Sequence, residues 1–150
     1  MYWPSFNGVL GSPTAQHRVA INTYLALACS CLSACWIAKL KTGKLEIEIL
    51  LNATLAGGVA LGASADLITK PYGAMLLGIV IGIISALGYA YFTPVARGKL
   101  GLHDTCGVLY LHCIPGIVGG FVSAMVVDNM DEGFGLNYGN YVSDARTPRT

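Results

Sequence analysis

Residues 104–127 read DTCGVLYLHCIPGIVGGFVSAMVV. The stretch is almost wholly apolar, and as a helix rising about 1.5 Å per residue it is long enough to cross a hydrocarbon core about 30 Å thick. It nevertheless holds a histidine, His112, with Pro115 three residues on and Gly116, Gly119 and Gly120 beyond that. An imidazole at membrane depth is costly unless it meets a partner or a cavity, so it reads either as part of a substrate path or as a hydrogen-bonded contact between helices.

The rest of the chain makes lipid its solvent. Hydrophobic residues are 54% of the sequence and charged residues 11%, where soluble domains carry about a quarter charged. The mean hydropathy is +0.59. Four runs have the composition of membrane spans: 21–40, 49–68, 73–95 and 105–127. Each is close to the roughly 20 apolar residues that a spanning helix needs. The N-terminus lacks the basic leader of a cleavable signal peptide. Lys41-Thr42-Gly43-Lys44, Lys70-Pro71-Tyr72-Gly73 and Arg97-Gly98-Lys99-Leu100-Gly101 supply short connections rich in turn formers. The expected fold is an all-α, polytopic transmembrane bundle with antiparallel neighbours. A net charge of +1 gives no basic field for nucleic acid.

Charge placement sets an orientation. The second and fourth loops carry Lys39, Lys41, Lys44, Arg97 and Lys99, whereas the first and third carry Arg18 and Lys70. The excess of positive charge places the second and fourth loops in the cytoplasm. The tail, 128–150, with Asp128, Asp131, Glu132 and Asp144, is then non-cytoplasmic. Gly58 and Gly62, Gly78 and Gly82, and Gly116 and Gly120 are each four apart, a spacing that lets helix backbones approach closely in lipid.

Within the opening stretch, Asp104 before Thr105 reads as an N-cap whose carboxylate accepts unpaired amide donors. His112 lies eight residues on, about 12 Å along a helix axis and near the midplane of the bilayer. Pro115 cannot donate to the carbonyl of Leu111, so a kink is expected beside the histidine. A neutral imidazole there, with one donor and one acceptor, suits a small polar solute; the competing role is structural, as a tie to a neighbouring helix.

Four segments, "MYWPSFN", "NATLAGGVALG", "GIISALGYAYFTP" and "DTCGVLYLHCIPGIVGG", together resemble the Rh glycoproteins, the eukaryotic branch of the ammonium transporter family. The resemblance runs from Met1 to about Val127. It implies a homotrimer in which each protomer has its own narrow apolar pore, through which ammonia passes after ammonium gives up a proton. By the same resemblance His112 is the second member of the pore's histidine pair. Phe6 is one of two stacked phenylalanines gating the external mouth, Asn7 follows it as in the family, and Glu46 is the acid of the cytoplasmic vestibule. Residues 1–10 become the end of a preceding helix, and 1–127 part of a transporter-like transmembrane domain. The first pore histidine, its aspartate and the other gate phenylalanine are expected upstream and a last span downstream. The chain is therefore expected to be about the second structural half of a longer transporter. It departs from the family beside the histidine: Rh proteins usually have two asparagines before the Leu-His pair and a glycine after it, where this chain has Leu109, Tyr110 and Cys113.

These readings give an expected function of ammonia/ammonium transport in the plasma membrane, with methylammonium and carbon dioxide as further candidate solutes. Stripping water from a cation is costly, and leaving one proton behind removes most of that cost. Phe6 offers a ring face worth about 0.5 to 2 kcal/mol to a cation, or else an interfacial aromatic of the same kind as Tyr2 and Trp3. The alternative function is a non-transporting Rh-type scaffold or partner subunit. No nucleophile and base pair up as in an enzyme, and no cofactor is called for. Cys29, Cys31, Cys35, Cys106 and Cys113 form no CxxC pair and read as small apolar packers. A metal site from His103, Cys106, His112 and Cys113 fails, because 103 and 112 are more than two helical turns apart. Asn52-Ala53-Thr54 fits a glycosylation acceptor but begins a span at the cytoplasmic face. Residues 128–133 lack the ligand alternation of a calcium loop.

Overall fold

The computed structural model describes residues 2–128, apart from 10, 12, 100, 102 and 105, and leaves aside the side chains of 42, 127 and 128. The expected outer tail, with Asp131, Glu132, Asp144, Arg146 and Arg149, lies outside the described residues. Within them the secondary structure is helical, with no strand. A short α1 (Trp3–Gly8) leads into α2 (Gln16–Thr42), α3 (Ile47–Leu61) and α4 (Pro71–Leu87). A π-helical turn, Gly88–Phe92, then joins α4 to α5 (Thr93–Lys99), and a second, Leu109–Cys113, precedes α6 (Ile114–Asp128).

The boundaries follow from local chemistry. Gly43, at φ 69°, closes α2 in the left-handed conformation, and its N–H returns to the carbonyl of Lys39 at 3.0 Å. Glycine takes that conformation without the penalty of a Cβ. Lys39 and Lys41 stand in the last turn of α2, where the helix dipole favours cations. Pro71 opens α4, at a position whose N–H would have no intrahelical partner anyway.

Among the described residues three helices are long and apolar enough to cross a membrane: Gln16–Lys41, Pro71–Lys99 and Leu109–Val126. The second expected span, 49–68, is shorter than expected. Its helix ends at Leu61 after 15 residues, a length of about 22 Å. The amide of Ser64 bonds the carbonyl of Leu61, and the amides of Leu67 and Ile68 both bond that of Ser64, so the chain advances by tight turns. Asn22 stabilises that exit, its Nδ2 donating to the carbonyls of Ala65 (3.0 Å) and Ile68 (2.7 Å). The span expected over 105–127 also starts late, its first helical residue being Val108.

The core is a three-helix contact built on small residues. A methyl at Gly57 would lie 2.7 Å from Ser30 Cβ; one at Gly78 would lie 2.9 Å from Ala26 Cα, and one at Gly82 2.9 Å from Ser30 Cα. α3 and α4 therefore both meet α2 at backbone range along Ala26 and Ser30. The hydroxyl of Ser30, buried in this seam, donates to the carbonyl of Ala53. Val19, Ala56, Ala60, Leu61 and Ile81 fill the middle of the core, and Ala34, Ala38, Ile49, Ala53 and Ala86 form a second cluster.

Gly78 and Gly82 thus make the close contact their spacing suggests. Gly58 instead faces Trp3 and Leu27, and Gly62 faces Asn7. Gly116 and Gly120 meet nothing; the glycine of α6 that touches a helix is Gly119, against the backbone of Ala60. Leu111, Val118, Val122 and Val126 lean on the core, while Ile117, Phe121 and Met125 stay exposed at 56%, 69% and 65%.

Candidate functional site

The segment that carries His112 is shaped by Pro115. With no N–H on Pro115, the carbonyl of Leu111 loses its α-helical donor, and the backbone closes a wider turn: Leu109–Cys113 is π-helical, the amide of Ile114 reaching back five residues to the carbonyl of Leu109. Such one-residue bulges are a recognised way for a helix to absorb an interruption. The backbone irregularity lies in the turn that carries His112, and the ring of Pro115 is buried.

His112 projects from this turn and is exposed. Because the helix begins at Val108, the histidine stands about one turn inside it rather than eight residues deep. Asp104 holds the start of the turn: its Oδ1 accepts from the amide of Val108 and its Oδ2 from that of Leu109, both at 2.9 Å. The carboxylate thus reaches across the bend at Gly107, which sits at φ 67° and whose carbonyl accepts from the amides of Tyr110 (3.1 Å) and Leu111 (2.9 Å).

Tyr110 points the other way. It is 4% exposed and lies over Gly88, where a methyl would stand 2.7 Å from its Cε1. Its ring centroid is 5.7 Å from that of Tyr89, the planes tilted by 54°. The bulk of Tyr110 is therefore taken up between helices and not on the side of His112. The hydroxyl of Tyr89 accepts from Asn52 Nδ2 at 2.6 Å and donates to the carbonyl of Cys106 at 3.1 Å. Asn52, which fits a glycosylation acceptor in sequence, uses its amide in this bond. Nearby, Lys41 Nζ donates to the carbonyl of Ala90 at 2.5 Å and lies 4.9 Å from the Tyr91 ring centroid.

The remaining candidates fall at two ends of the bundle. Asn52, near the start of α3, reaches Tyr89, which reaches Cys106 beside Asp104; Asp104 and Glu46 therefore share one end. Glu46 is exposed and serves as the extended residue before α3, its carbonyl accepting from the amide of Leu50 at 3.1 Å. Phe6 and Asn7 belong to the opposite end. Asn7 Nδ2 donates to Thr23 Oγ1 (3.2 Å) and the Gly58 carbonyl (3.3 Å), tying α1 to α2 and α3. Phe6 is 71% exposed and packs edge-on to Trp3 at 5.6 Å and 81°. Among these residues Asp104 caps the start of the helix that carries His112, and Phe6 and Asn7 stand apart from both. Sequence reasoning read Asn52 only as a glycosylation acceptor and gave Tyr89, Gly88 and Gly107 no role; the aromatic-glycine run GYAYF is the signal that pointed towards Gly88 and Tyr89.

Comparisons with known proteins agree on a lineage. Residues 1–146 match the model of the Ammonium Transporter Family. The chain is 48% identical over 136 residues to the ammonium transporter Rh type C of Xenopus laevis, covering 89% of this chain and 29% of that protein. It is 50% identical over 128 residues to the human Rh type C transporter, covering 83% and 27%. It thus spans under a third of the length of these curated relatives. Among solved structures, Nitrosomonas europaea Rh50, studied for conduction by the Rhesus protein family of channels, superposes with a TM-score of 0.80 at 36% identity, covering 83% of this chain and 33% of that one. A sensor Amt protein follows at a TM-score of 0.72 and 26% identity, covering 82% and 30%.

Proposed function

The chain belongs to the Ammonium Transporter Family, and from that premise we propose that it forms the His112-bearing side of an ammonia/ammonium pore in a multi-pass membrane protein. The observation that carries this reading is the exposed imidazole of His112 on a turn fixed by Asp104. An ionisable ring set on an apolar helix, held in place yet left open, is built to meet something that is not part of this chain.

The physical chemistry runs in three steps. At the external mouth the open face of Phe6 attracts the ammonium cation. The cation leaves a proton on the aqueous side, which removes most of the cost of shedding its water. Neutral ammonia then exchanges hydrogen bonds with the His112 ring, and on the far side the carboxylate of Glu46 draws the re-formed cation into the cytoplasm. In this reading the loops rich in Lys and Arg are cytoplasmic, the working unit is a homotrimer in the plasma membrane, and methylammonium and carbon dioxide are further solutes to assay.

The test is His112→Ala in the transporter that carries this chain. Methylammonium uptake per folded trimer is expected to fall at least about tenfold or change its selectivity, with trimer yield retained. A histidine that only ties helices would do the reverse, costing about 1 to 2 kcal/mol of association. Unchanged uptake per trimer with reduced yield would overturn the pore role.

A further inference from the structure

The two π-helical turns sit against each other, and each presents a tyrosine to a glycine beside the other. Tyr110, from the turn Leu109–Cys113, lies on Gly88 at the head of the turn Gly88–Phe92; a methyl at Gly88 would stand 2.7 Å from its Cε1 and 2.8 Å from its Cγ. Tyr89, from the turn Gly88–Phe92, lies on Gly107; a methyl there would stand 2.6 Å from its Cε2. Real Cβ contacts are not found this close, so a methyl at either position would force the facing ring to move. The rings touch each other, and the Tyr89 hydroxyl links Asn52 of α3 to the carbonyl of Cys106. His112 is two residues beyond Tyr110 on the same turn, with its own ring exposed.

We propose that Tyr89 and Tyr110 are positioning residues for His112, fixing through this reciprocal seating where the imidazole stands. The inference rests on the pore reading for its importance and on the geometry alone for its existence. A π turn replaces α-helical bonds with a wider i→i+5 closure, here Ile114 N–H to Leu109 O, so the direction of its side chains depends also on what packs against the turn. Asp104 fixes where the turn starts. The two tyrosines fix how it is rotated, because Tyr110 and His112 leave the same short turn in opposite senses, one inward and one outward. Displacing the first must swing the second.

The test is a double-mutant cycle of Gly88→Ala and Tyr110→Ala with two readouts. The first is the imidazole NMR signal of His112 in the labelled chain in lipid nanodiscs, identified by its loss in His112→Gln. The second is methylammonium uptake per folded trimer in the transporter that carries this chain. Gly88→Ala is expected to move the His112 signal and to lower uptake about tenfold, the scale by which a small misplacement of a functional group lowers a rate. In the Tyr110→Ala background the same methyl meets no ring, and its added effect is expected to be less than about twofold. Gly98→Ala, where a methyl meets nothing, should match the parent in both readouts. If Gly88→Ala does not fold, Tyr89→Phe keeps the question answerable, since removing the hydroxyl takes away both its bonds, from Asn52 and to the Cys106 carbonyl, and should move the same signal and lower uptake at least about fivefold. A His112 signal unmoved by Gly88→Ala or by Tyr89→Phe would overturn the proposal, as would a Gly88→Ala effect that is no smaller without Tyr110. A signal that moves while uptake ignores both Gly88→Ala and His112→Ala would leave the positioning intact and remove the pore reading instead.

Discussion

The contact of α2, α3 and α4 and the segment from Asp104 through α6 are built on opposite plans. In the first, small residues bring backbones together, and 44% of an 18-residue apolar stretch of Pro71–Lys99 is buried; in the second, 17% of the 18 residues Leu109–Val126 is buried and Ile117, Phe121 and Met125 face outward. The first holds its shape by close packing, so its tolerance for added volume is low. The second holds its shape by a carboxylate cap, two interlocked rings and a proline, while leaving one imidazole free. Rigidity and openness are thus assigned to different helices, and the residues of chemical interest sit where regular helix gives way.

The contrast can be broken most forcefully at Gly82. Its added methyl would strike backbone of Ser30, which cannot rotate away, so Gly82→Ala is expected to cost about 3 kcal/mol, the upper end for overpacking. Gly120→Ala on α6, with open space around it, should lie within about 0.5 kcal/mol of the parent. Folded yield and midpoint of thermal inactivation in detergent, measured side by side, check the pair; equal losses would erase the distinction. A smaller effect is expected at the cap. Asp104→Ala releases two amides at once and should cost about 1 to 2 kcal/mol, seen as faster hydrogen exchange at Val108 and Leu109, with exchange in the interior of α2 unaffected. The smallest effect is at Phe6. Because 71% of its surface is already exposed, Phe6→Leu should change stability by less than about 0.5 kcal/mol. If the ring meets a cation, the same change weakens apparent affinity for methylammonium by about two- to fivefold, the value of an exposed contact.

The long apolar runs, the turn-forming loops and the break at Pro115 were legible in the sequence because each is a local property: hydropathy, a glycine at a helix end, a missing N–H. The early end of α3 was not, since Asn22 meets it from 43 and 46 residues away. The spacing of Gly116 and Gly120 gave a period but no phase, and the helix used Gly119, about 100° around the axis. Tyr89 was invisible for a similar reason. Its partners lie 37 residues before it and 17 after it, and only tertiary packing brings Asn52 and Cys106 to one hydroxyl. The family resemblance supplied roles for His112, Phe6, Asn7 and Glu46 without saying how this chain would house Tyr110.

The paired π turns bear on how homologues of this chain should be aligned. Each turn holds one residue more than α-helix would need to cover the same length, and one residue is worth about 100° of rotation. A homologue one residue shorter between 109 and 113 would carry a straight helix there, presenting a neighbour's side chain in the direction His112 now takes. A gap of one at this place, which an aligner treats as trivial, would mark a different lining residue even where the letters on either side agree.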